Sequence, residues 1–294
     1  MSPVIVTGAT GKTGREVVGE LRRLGVPTIA LAHREDERAT HLRSLGADVA
    51  SGDYADAASL NAVMRGAESA YLCMPPQVEL LEWTASFIEA ARAAGIRRVV
   101  NMSQLHVRPD HPSPLTRQHW LAERMLDLAG LGAVQLRSSF FAEGYLILGA
   151  AAIAGDSPLC LPFGRERVAP VACADVGRVA AAILSAPDRD WRSSYTVTGP
   201  ELLDHVAIAA ALSAAVGRRI DYWDTPTDVW CAAAAQAGLP PFLIDHFSRT
   251  SDDVKQGVFA RQTDVVPRIA GAPAAPFAEA VTRALSREAT ASRA

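Results

Sequence analysis

The feature that most constrains this chain is a glycine-rich turn directly after its first apolar run. Residues 4–15 read VIVTGATGKTGR, and glycine recurs at every third position, at Gly8, Gly11 and Gly14. A strand that turns into a helix through such a loop presents unpaired N–H groups and a partial positive charge to an anion. Glycine also permits a tight turn and close approach of a pyrophosphate to the backbone. The sequence therefore predicts a dinucleotide site at the start of a parallel sheet.

Strand-like and helix-like segments alternate through the first half of the chain. Apolar runs lead into helical patterns, and several of those patterns stop at a glycine, as helices commonly do. The predicted strands are Val4–Thr7, Thr28–Ala32, Asp48–Ser51, Ala70–Met74, Arg98–Met102 and Ala133–Arg137. The predicted helices are Gly14–Leu24, Glu37–Leu45, Ala57–Met64, Leu80–Ala94 and Leu115–Leu128. This rhythm predicts an α/β fold, a Rossmann-type doubly wound parallel sheet with helices on both faces.

Beyond Ser138 this alternation breaks down, and Ala-rich segments are separated by proline and glycine. The segments predicted there are strands Val168–Val171 and Tyr195–Thr198 and helices Asp175–Leu184, His205–Val216 and Val229–Ala237. We expect an NAD(P)-binding Rossmann domain over residues 1–138 and a smaller, mostly helical C-terminal substrate lobe over residues 139–285. That lobe is expected to be interleaved with the last elements of the main sheet. The small polar residues 286–294 are expected to form a disordered tail.

Composition argues against several classes of partner. The chain has 294 residues and a formal net charge of −3, so no broad basic field is available to hold nucleic acid or an anionic membrane. Its 4 cysteines form no C-x-x-C pair, which argues against zinc and disulfides and suits a reducing, cytoplasmic location. The longest nearly apolar run, residues 145–154, is too short to span a bilayer. His106 and His111 lie close in sequence, but without a third ligand nearby we expect no metal site.

The tip of the second predicted strand bears on which nucleotide binds. NAD-binding sheets place an acidic residue there to hold the ribose hydroxyls, whereas this chain has His33 and Arg34. A guanidinium suits a 2′-phosphate because it can donate two parallel hydrogen bonds, and Lys12 is expected to add a second positive charge. Glu35 and Asp36 follow Arg34 and weaken the signal, and the alternative is a solvated surface arginine. We expect NADP, as NADPH, rather than NAD.

Six stretches in a fixed order point to a known family. They are TGATGKTG, GADVASGDYADAASL, AARAAGIRRVVNMS, HWLAERML, LRSSFFAEGY and YTVTGP. The first is shared by many short-chain dehydrogenases, but the combination is much more specific. On these motifs, from Val4 to about residue 285, the chain resembles the NmrA-like family of atypical short-chain dehydrogenases/reductases. Within that family it is most similar to the NAD(P)H:quinone reductase branch.

The resemblance implies a set of cofactor-binding positions at the ends of successive strands. The segment 52–54 resembles the family's adenine-contacting segment, and the segment 73–75 lies where the family's backbone passes the adenine ribose toward the nicotinamide. The implied cofactor-binding residues are Thr7, Gly8, Thr10, Gly11, Lys12, Thr13, Gly14, His33, Arg34, Asp53, Tyr54, Cys73, Met74, Pro75, Ser103 and His119.

The catalytic residues of a short-chain dehydrogenase are only partly present. Such enzymes use a serine and a Y-x-x-x-K pair, whose tyrosine protonates the carbonyl while the lysine lowers the tyrosine pKa. Ser103 occupies the family's serine position, and its hydroxyl is expected to orient a substrate carbonyl. Leu115 stands in the tyrosine position and His119 in the lysine position, four residues before Glu123. His119, a residue type that titrates near neutrality, is expected to hydrogen-bond the cofactor ribose or the substrate oxygen, steadied by Glu123. The alternatives are that His119 only packs within its helix and that Glu123 only packs nearby.

Four further residues are expected to contact the substrate. Phe140, Phe141 and Tyr145 follow the sixth predicted strand, and Gln104 directly follows Ser103. Flat apolar rings at the mouth between two lobes suit a planar aromatic molecule. Packing within the core is an equally compatible interpretation of these rings.

The missing tyrosine and lysine limit the chemistry. A simple ketone needs protonation as hydride arrives, whereas a quinone becomes an aromatic hydroquinone anion that can take its proton from water. The sequence and the resemblance together predict an NADPH-dependent oxidoreductase that transfers hydride to a quinone-like or other planar conjugated acceptor, in a chain that can form a homodimer. Two alternatives remain open: an NADP(H)-binding redox sensor without turnover, and a biosynthetic tailoring reductase of a polycyclic or imine intermediate.

Overall fold

A computed structural model describes residues 2–155 and 157–291. The strands are β1 (Val4–Val6), β2 (Thr28–Ala32), β3 (Asp48–Ser51), β4 (Ser69–Leu72), β5 (Arg98–Gln104), β6 (Val134–Ser138), β7 (Leu159–Leu161), β8 (Ser194–Val197) and β9 (Tyr222–Asp224). The helices are α1 (Lys12–Arg23), α2 (Glu37–Ser44), α3 (Ala57–Met64), α4 (Leu80–Ala94), α5 (Pro114–Leu128), α6 (Gly144–Leu148), α7 (Ala150–Ala154), α8 (Cys173–Leu184), α9 (His205–Val216), α10 (Thr227–Gln236), α11 (Pro241–Lys255), α12 (Val265–Ala270) and α13 (Phe277–Ala291).

The main sheet has the strand order β3-β2-β1-β4-β5-β6-β8, and every neighbouring pair is parallel. The direction of winding reverses between β1 and β4, which is where doubly wound sheets bind their ligands. The Rossmann-type fold predicted from the sequence is therefore confirmed. The carboxyl ends of β1 and β4 form the floor of the candidate site.

Two apolar cores cover the two faces of this sheet. Helices α1, α8 and α12 supply one core, with side chains such as Val17 and Val176, and α3, α4 and α5 supply the other, with Phe87 at its centre. Removal of such side chains from water is the main stabilising force. Helices α1 and α8 pack closely because Gly177 has no side chain: a Cβ there would lie 2.8 Å from the backbone of Glu16.

The remaining elements form a smaller lobe with its own core. Strand β7 pairs with β9 in parallel, and the core beside them contains Tyr145, Phe163 and Phe277. Strand β8 nevertheless belongs to the main sheet, since it pairs with β6, and helix α8 packs on one face of that sheet. The chain thus leaves the main sheet after β6 and returns to it later, and a domain division at residue 138 stays a prediction. None of the described helices combines the length and hydropathy needed to cross a bilayer.

One predicted strand is wrong. The segment 168–171 makes only isolated bridges, in which Val168 pairs with Leu203 and Val171 pairs with Phe141. The reason lies in its sequence, VAPV, because Pro170 has no N–H with which to extend a ladder.

The C-terminal region is more helical than the sequence predicts. Helix α13 continues to Ala291, although a disordered tail is predicted from residue 286. No glycine or proline interrupts residues 277–291, and alanine, glutamate and arginine there favour a helix. Residues 292–294 of the predicted tail lie outside the described residues. Helix α11 is also absent from the prediction, because polar residues dilute the apolar spacing of its sequence.

Candidate nucleotide and substrate site

The glycine loop joins β1 to α1 at the centre of the sheet edge. Gly11 is the N-cap of α1, and no side chain caps the helix. The first bond of the helix is donated by the Arg15 N–H to the Gly11 carbonyl at 3.2 Å. The N–H groups of the first turn therefore have no partner within the helix, and they lie at its positive dipole end. This is the arrangement that binds phosphates.

The three glycines of the loop have different reasons to be glycine. Gly8 has a φ of +59°, and a Cβ there would lie 2.8 Å from the Cys73 carbonyl oxygen. A Cβ on Gly14 would lie 2.2 Å from the Gly8 carbonyl oxygen, so this residue is required by the packing of the loop itself. Gly11 is exposed, and a Cβ there would approach only the Gly8 oxygen, at 3.1 Å. The space above Gly11 is therefore left open on the side where a pyrophosphate would lie.

Threonine hydroxyls hold this loop to the end of β4. Thr7 accepts a hydrogen bond from the Cys73 N–H at 3.1 Å and donates to the Tyr71 carbonyl at 3.0 Å. The Tyr71 hydroxyl donates to Thr13 at 3.0 Å, and the Cys73 sulfur lies 3.7 Å from the same Thr13 hydroxyl. Met74 is buried, and Thr10 and Pro75 are partly buried. The predicted cofactor residues of β1, α1 and β4 are thus brought together, and Thr7 and Thr13 act by shaping the loop.

Arg34 at the tip of β2 has no counter-ion anywhere in residues 2–155 and 157–291. The two acids that follow it are engaged elsewhere: Glu35 binds the Arg43 guanidinium at 2.9 and 2.8 Å, and Asp36 binds Arg38 and caps α2. The acids that weaken the sequence signal therefore do not neutralise Arg34. Its exposed guanidinium is available to a phosphate.

The ends of β2, β3 and β4 are joined by side-chain contacts. His33 Nδ1 lies 3.7 Å from the Asp53 carboxylate, so the ends of β2 and β3 meet. Asp53 also accepts the Ala55 N–H at 3.0 Å. The Tyr54 hydroxyl donates to the Cys73 carbonyl at 3.3 Å, and its ring stacks on Trp83 with 5.8 Å between centroids. Tyr54 therefore ties the end of β3 to the end of β4.

Lys12 departs from its predicted role. Its ammonium donates to the main-chain oxygen of Glu143 at 3.0 Å, in the segment that follows β6. Strand β6 and strand β2 lie on opposite sides of β1, so Lys12 extends away from Arg34. The expectation of a second positive charge beside a 2′-phosphate is therefore corrected. The Glu143 carboxylate accepts the Cys173 N–H at the start of α8, so Lys12 and Glu143 join the loop to the helix beside it.

Ser103 also departs from its predicted role. Its hydroxyl is 2% exposed and donates to the Glu123 carboxylate at 2.7 Å. Glu123 is fully buried and is held by the Arg137 guanidinium at 3.0 and 2.6 Å. The Ser103 proton is thus committed to an ion pair inside the protein, which leaves no donor there for a substrate carbonyl. Glu123 is likewise occupied and does not steady His119.

His119 lies on the second turn of α5, near the carboxyl end of β5. It is 9% exposed, and burial lowers the pKa of its imidazole to about 4. The ring is therefore neutral near neutral pH, whereas the sequence predicts titration there. Across the described part of the chain neither ring nitrogen has a hydrogen-bond partner. Leu115, in the tyrosine position, is buried apolar surface that cannot donate a proton.

A polar cluster that the sequence did not reveal adjoins His119. The Thr116 hydroxyl, three residues earlier on α5, lies 3.3 Å from Gln104 Oε1 and 3.2 Å from His106 Nε2. His246, from α11 in the smaller lobe, lies 3.5 Å from the same hydroxyl. Burial lowers the pKa values of both histidines, that of His246 to about 4, and neighbouring histidines add to the shift. The imidazoles of His106 and His246 are therefore uncharged near neutral pH.

His106 and His111 gain a neighbouring carboxylate that sequence spacing does not indicate. The ligand atoms of these histidines and of Asp253 lie within 4.8 Å of one another. The Asp253 carboxylate is already bonded to His111 at 2.8 Å and to the Arg108 guanidinium at 3.2 and 3.0 Å. Because a guanidinium occupies both carboxylate oxygens, this arrangement is an internal ion pair, and a cation there would be repelled by Arg108.

The aromatic residues expected to contact the substrate separate into two groups. Phe140 and Phe141 are partly buried, and the Phe140 ring lies 4.6 Å from that of Phe259, which packs 5.0 Å from His106. Tyr145 is fully buried in the core of the smaller lobe, and its hydroxyl pairs with His205 at 3.2 Å. Tyr145 therefore has no surface for a substrate, whereas Phe140 lies beside the polar cluster.

Comparison with known proteins agrees with this architecture. Residues 1–239 match the NmrA-like family. The chain belongs to the NmrA-like family. The resemblance that the sequence motifs indicated is thereby confirmed.

Two proteins with similar sequences are named as reductases. An NAD(P)H azoreductase of Xenophilus azovorans is 30% identical over 278 residues, covering 94% of this chain and 96% of the relative. The (4-alkanoyl-5-oxo-2,5-dihydrofuran-3-yl)methyl phosphate reductase of Streptomyces griseus is 32% identical over 275 residues, covering 93% and 95%. Among solved structures, the NADPH-dependent quinone oxidoreductase of Escherichia coli in complex with NADPH has a TM-score of 0.82 and 26% identity, covering 96% and 99%.

Proposed function

We propose that this NmrA-like protein is an NADPH-dependent oxidoreductase that reduces a quinone-like or other planar conjugated acceptor. The observation that carries the proposal is the juxtaposition, along one sheet edge, of an open phosphate cradle at Gly11 and a neutral, unpartnered imidazole at His119. The names of the related azoreductase and quinone oxidoreductase support the same reaction class.

The residues present fit NADPH. The open space at Gly11 and the N–H groups of the first turn of α1 suit the pyrophosphate, and the unpaired Arg34 suits the 2′-phosphate. Asp53 and Tyr54, which follow β3, suit the adenosine, and the segment 73–75, which follows β4, suits the ribose on the way to the nicotinamide. When bound, this cofactor supplies the hydride for the reduction.

The protein's own groups decide which acceptor can be reduced. Leu115 replaces the usual proton donor, and the Ser103 proton is held by Glu123, so a simple ketone would receive no proton as its oxygen becomes negative. A quinone does not need that donor, because the hydroquinone anion is aromatic and takes its proton from water. Neutral His119 can hydrogen-bond the reacting oxygen or the ribose and so fix their relative position.

A panel of acceptors tests this proposal. NADPH oxidation should be fast with quinones and absent with simple aliphatic ketones. Azo compounds belong in the panel because a relative is named an NAD(P)H azoreductase. Equal affinity for NADP and NADPH without turnover of any acceptor would instead identify the redox sensor that the sequence leaves open. The panel also needs imines, because the third possibility is a biosynthetic tailoring reductase.

The Streptomyces relative gives that third possibility a specific form. Its name describes a phosphate ester of a dihydrofuranone that carries an alkanoyl group, which is a conjugated carbonyl compound. A conjugated lactone of this kind belongs in the same panel. Turnover of the lactone with no turnover of quinones would favour the tailoring function.

The proposal includes two predictions about the setting of the enzyme. We propose a homodimer and a cytoplasmic location, the latter because the cysteines are all free among the described residues. Light scattering of the purified protein measures the first, and fractionation of the source cells measures the second.

A further inference from the structure

Helix α11 of the smaller lobe places His246 against the start of α5. The His246 Nδ1 atom lies 3.0 Å from the hydroxyl of Ser113, which is the N-cap of α5. Ser113 is completely buried and accepts the Thr116 N–H at 3.4 Å. A residue from the second half of the chain is thus attached to the helix that carries His119.

A second contact fixes the position of this helix. Asp253 lies on α11 two turns beyond His246, on the same face. It bonds to His111 and Arg108, both in the loop between β5 and α5. The Ser113 N–H donates to His111 Nδ1 at 2.9 Å, so the proton of His111 is on Nε2. That N–H group donates a hydrogen bond to the Asp253 carboxylate. Two contacts therefore hold α11 to the loop that precedes α5.

The surroundings of His246 also fix which of its nitrogens carries the proton. The Ser113 hydroxyl has one acceptor within reach among the described residues, and that acceptor is His246 Nδ1. A fully buried hydroxyl whose proton has no acceptor destabilises the folded protein by about 1–3 kcal/mol. Ser113 therefore donates to Nδ1, and the imidazole proton of His246 resides on Nε2.

The Nε2–H group of His246 has no acceptor within residues 2–155 and 157–291. The side chain is only 8% exposed, and both Ser113 and Thr116 contact its Nδ1, so the unpartnered Nε2 lies on the other side of the ring, where it retains accessible surface. Burial lowers the pKa of His246, and the nearby His119, which is also unpartnered, lowers it further. An oriented donor without a partner, beside flat apolar rings and the proposed reaction centre, is a group that awaits a ligand.

We propose that His246 Nε2–H donates a hydrogen bond to the bound acceptor, which makes His246 a specificity-determining residue contributed by the smaller lobe. The substrate class follows from the chemistry of the pair: two neutral imidazoles favour an uncharged planar molecule that presents hydrogen-bond acceptors, such as the two carbonyl oxygens of a quinone. This inference rests on the proposed function for the identity of the substrate. The position of His246 itself does not depend on turnover.

The test compares His246→Phe, which removes the donor and keeps a ring, with His246→Gln, whose amide nitrogen can replace Nε2–H. Menadione, an uncharged planar quinone, is the probe. Its dissociation constant is measured by fluorescence titration of the complex between protein and NADP, and kcat and KM are measured with NADPH. A lost neutral hydrogen bond typically weakens binding about 2- to 13-fold. We expect a loss in that range for His246→Phe, mainly in KM, and rescue to within about twofold by His246→Gln.

A positioning variant adds a readout that packing alone would not change. Ser113→Ala removes the hydroxyl that fixes the tautomer, so menadione binding should weaken by about two- to fivefold while NADPH affinity stays unchanged. In the wild type, imidazole ¹⁵N spectra should show His246 protonated on Nε2 and that resonance shifting on addition of menadione. These spectra also serve if His246→Phe does not fold.

The outcomes separate this inference from the proposed function. Menadione binding that depends on His246 but leads to no turnover would keep the contact and reject the reductase. Turnover with equal menadione affinity in wild type and both His246 variants would keep the reductase and overturn the contact. An Nδ1–H tautomer, an unshifted Nε2 resonance, or no menadione binding at all would also overturn it.

Discussion

The two ends of the candidate site are built from different groups. At the nucleotide end the proposed pyrophosphate cradle is made of backbone, with N–H groups at the start of α1 and an open space at Gly11. The substrate end is made of buried side chains, among which Thr116 and His246 are bonded to neighbours. Substitutions that add a side chain should therefore impair the pyrophosphate cradle, whereas substitutions that remove side-chain atoms should impair the substrate end.

The largest effect is expected from an added side chain at the nucleotide end. Gly11→Val should leave the overall fold in place, because its Cβ meets only the Gly8 oxygen, which has to shift by a few tenths of an ångström, and the φ of −81° suits any residue. The branched side chain would fill the pyrophosphate space, and NADPH affinity should fall at least about 100-fold, since several hydrogen bonds of roughly 1.5–3 kcal/mol each would be lost. Calorimetric titration with circular dichroism measures both properties.

Gly14→Val is the matched control for this substitution. Its Cβ would lie 2.2 Å from the Gly8 oxygen, so this variant should lose folded structure as well as binding. A Gly11→Val protein that folds and binds NADPH normally would show that the loop is not the phosphate site.

The second-largest effect is expected when a positive charge is removed from the nucleotide end. Arg34→Ala should lower NADPH affinity about 10- to 150-fold and leave NADH affinity nearly unchanged, because only NADPH carries the 2′-phosphate. Arg65→Ala is the control. Arg65 is exposed and follows α3, which ends at the amino-terminal ends of the strands, away from the candidate site. Equal NADPH and NADH affinities in the wild type would contradict the assignment.

Two substitutions at the substrate end separate a contact with the reactants from a structural contact. His119→Ala should lower kcat/KM for a quinone about 10-fold, a loss of roughly 1.4 kcal/mol in transition-state stabilisation. Ser103→Ala should change kcat/KM less than about threefold, but should lower the melting temperature because the Glu123 carboxylate loses a buried donor. Steady-state kinetics and calorimetry on both variants decide the matter. Full turnover by His119→Ala would mean that its imidazole only packs.

The smallest effect concerns acid stability. The pKa values of His119, His205 and His246 are lowered by burial from 6.5 to about 4, so below pH 6.5 the unfolded chain takes up protons that the folded chain excludes. Their contribution to stability is complete above pH 6.5 and is lost as the pH falls to about 4, by at most about 1.4 kcal/mol per pH unit for each ring. Urea unfolding at pH 6.5 and 5 should show a loss that is about 1 kcal/mol smaller in His119→Gln. A loss of the same size in both proteins would contradict the low His119 pKa.

The same contrast explains what the sequence could predict. The glycine loop and the strands of the main sheet are encoded by short contiguous segments, so the cradle and all seven parallel strands of that sheet followed from local pattern. Arg34 is a predicted phosphate partner on the sequence alone, whereas the engagement of its acidic neighbours by Arg38 and Arg43 is visible only in the structure.

At the substrate end the decisive contacts join residues far apart in the chain. Asp253 and His111 are 142 positions apart, and Ser113 and His246 are 133 apart. Nothing in the local spacing of α11 marks His246, because an isolated histidine on a polar helix gives no periodic signal. Ser103 was assigned by its position in the family pattern, and the buried Glu123 and Arg137 that occupy it could be recognised only once β6 was placed beside β5.

The late return of the chain to the main sheet has a consequence for how the protein is made. During synthesis, β6 leaves the ribosome with its outer edge unpaired, and that edge stays open until Ser194–Val197 has emerged. Over the intervening residues the nascent chain exposes a strand edge that other chains can pair with. Chaperone capture should therefore be strongest for arrested chains that end between β6 and β8, and should fall once β8 is clear of the exit tunnel.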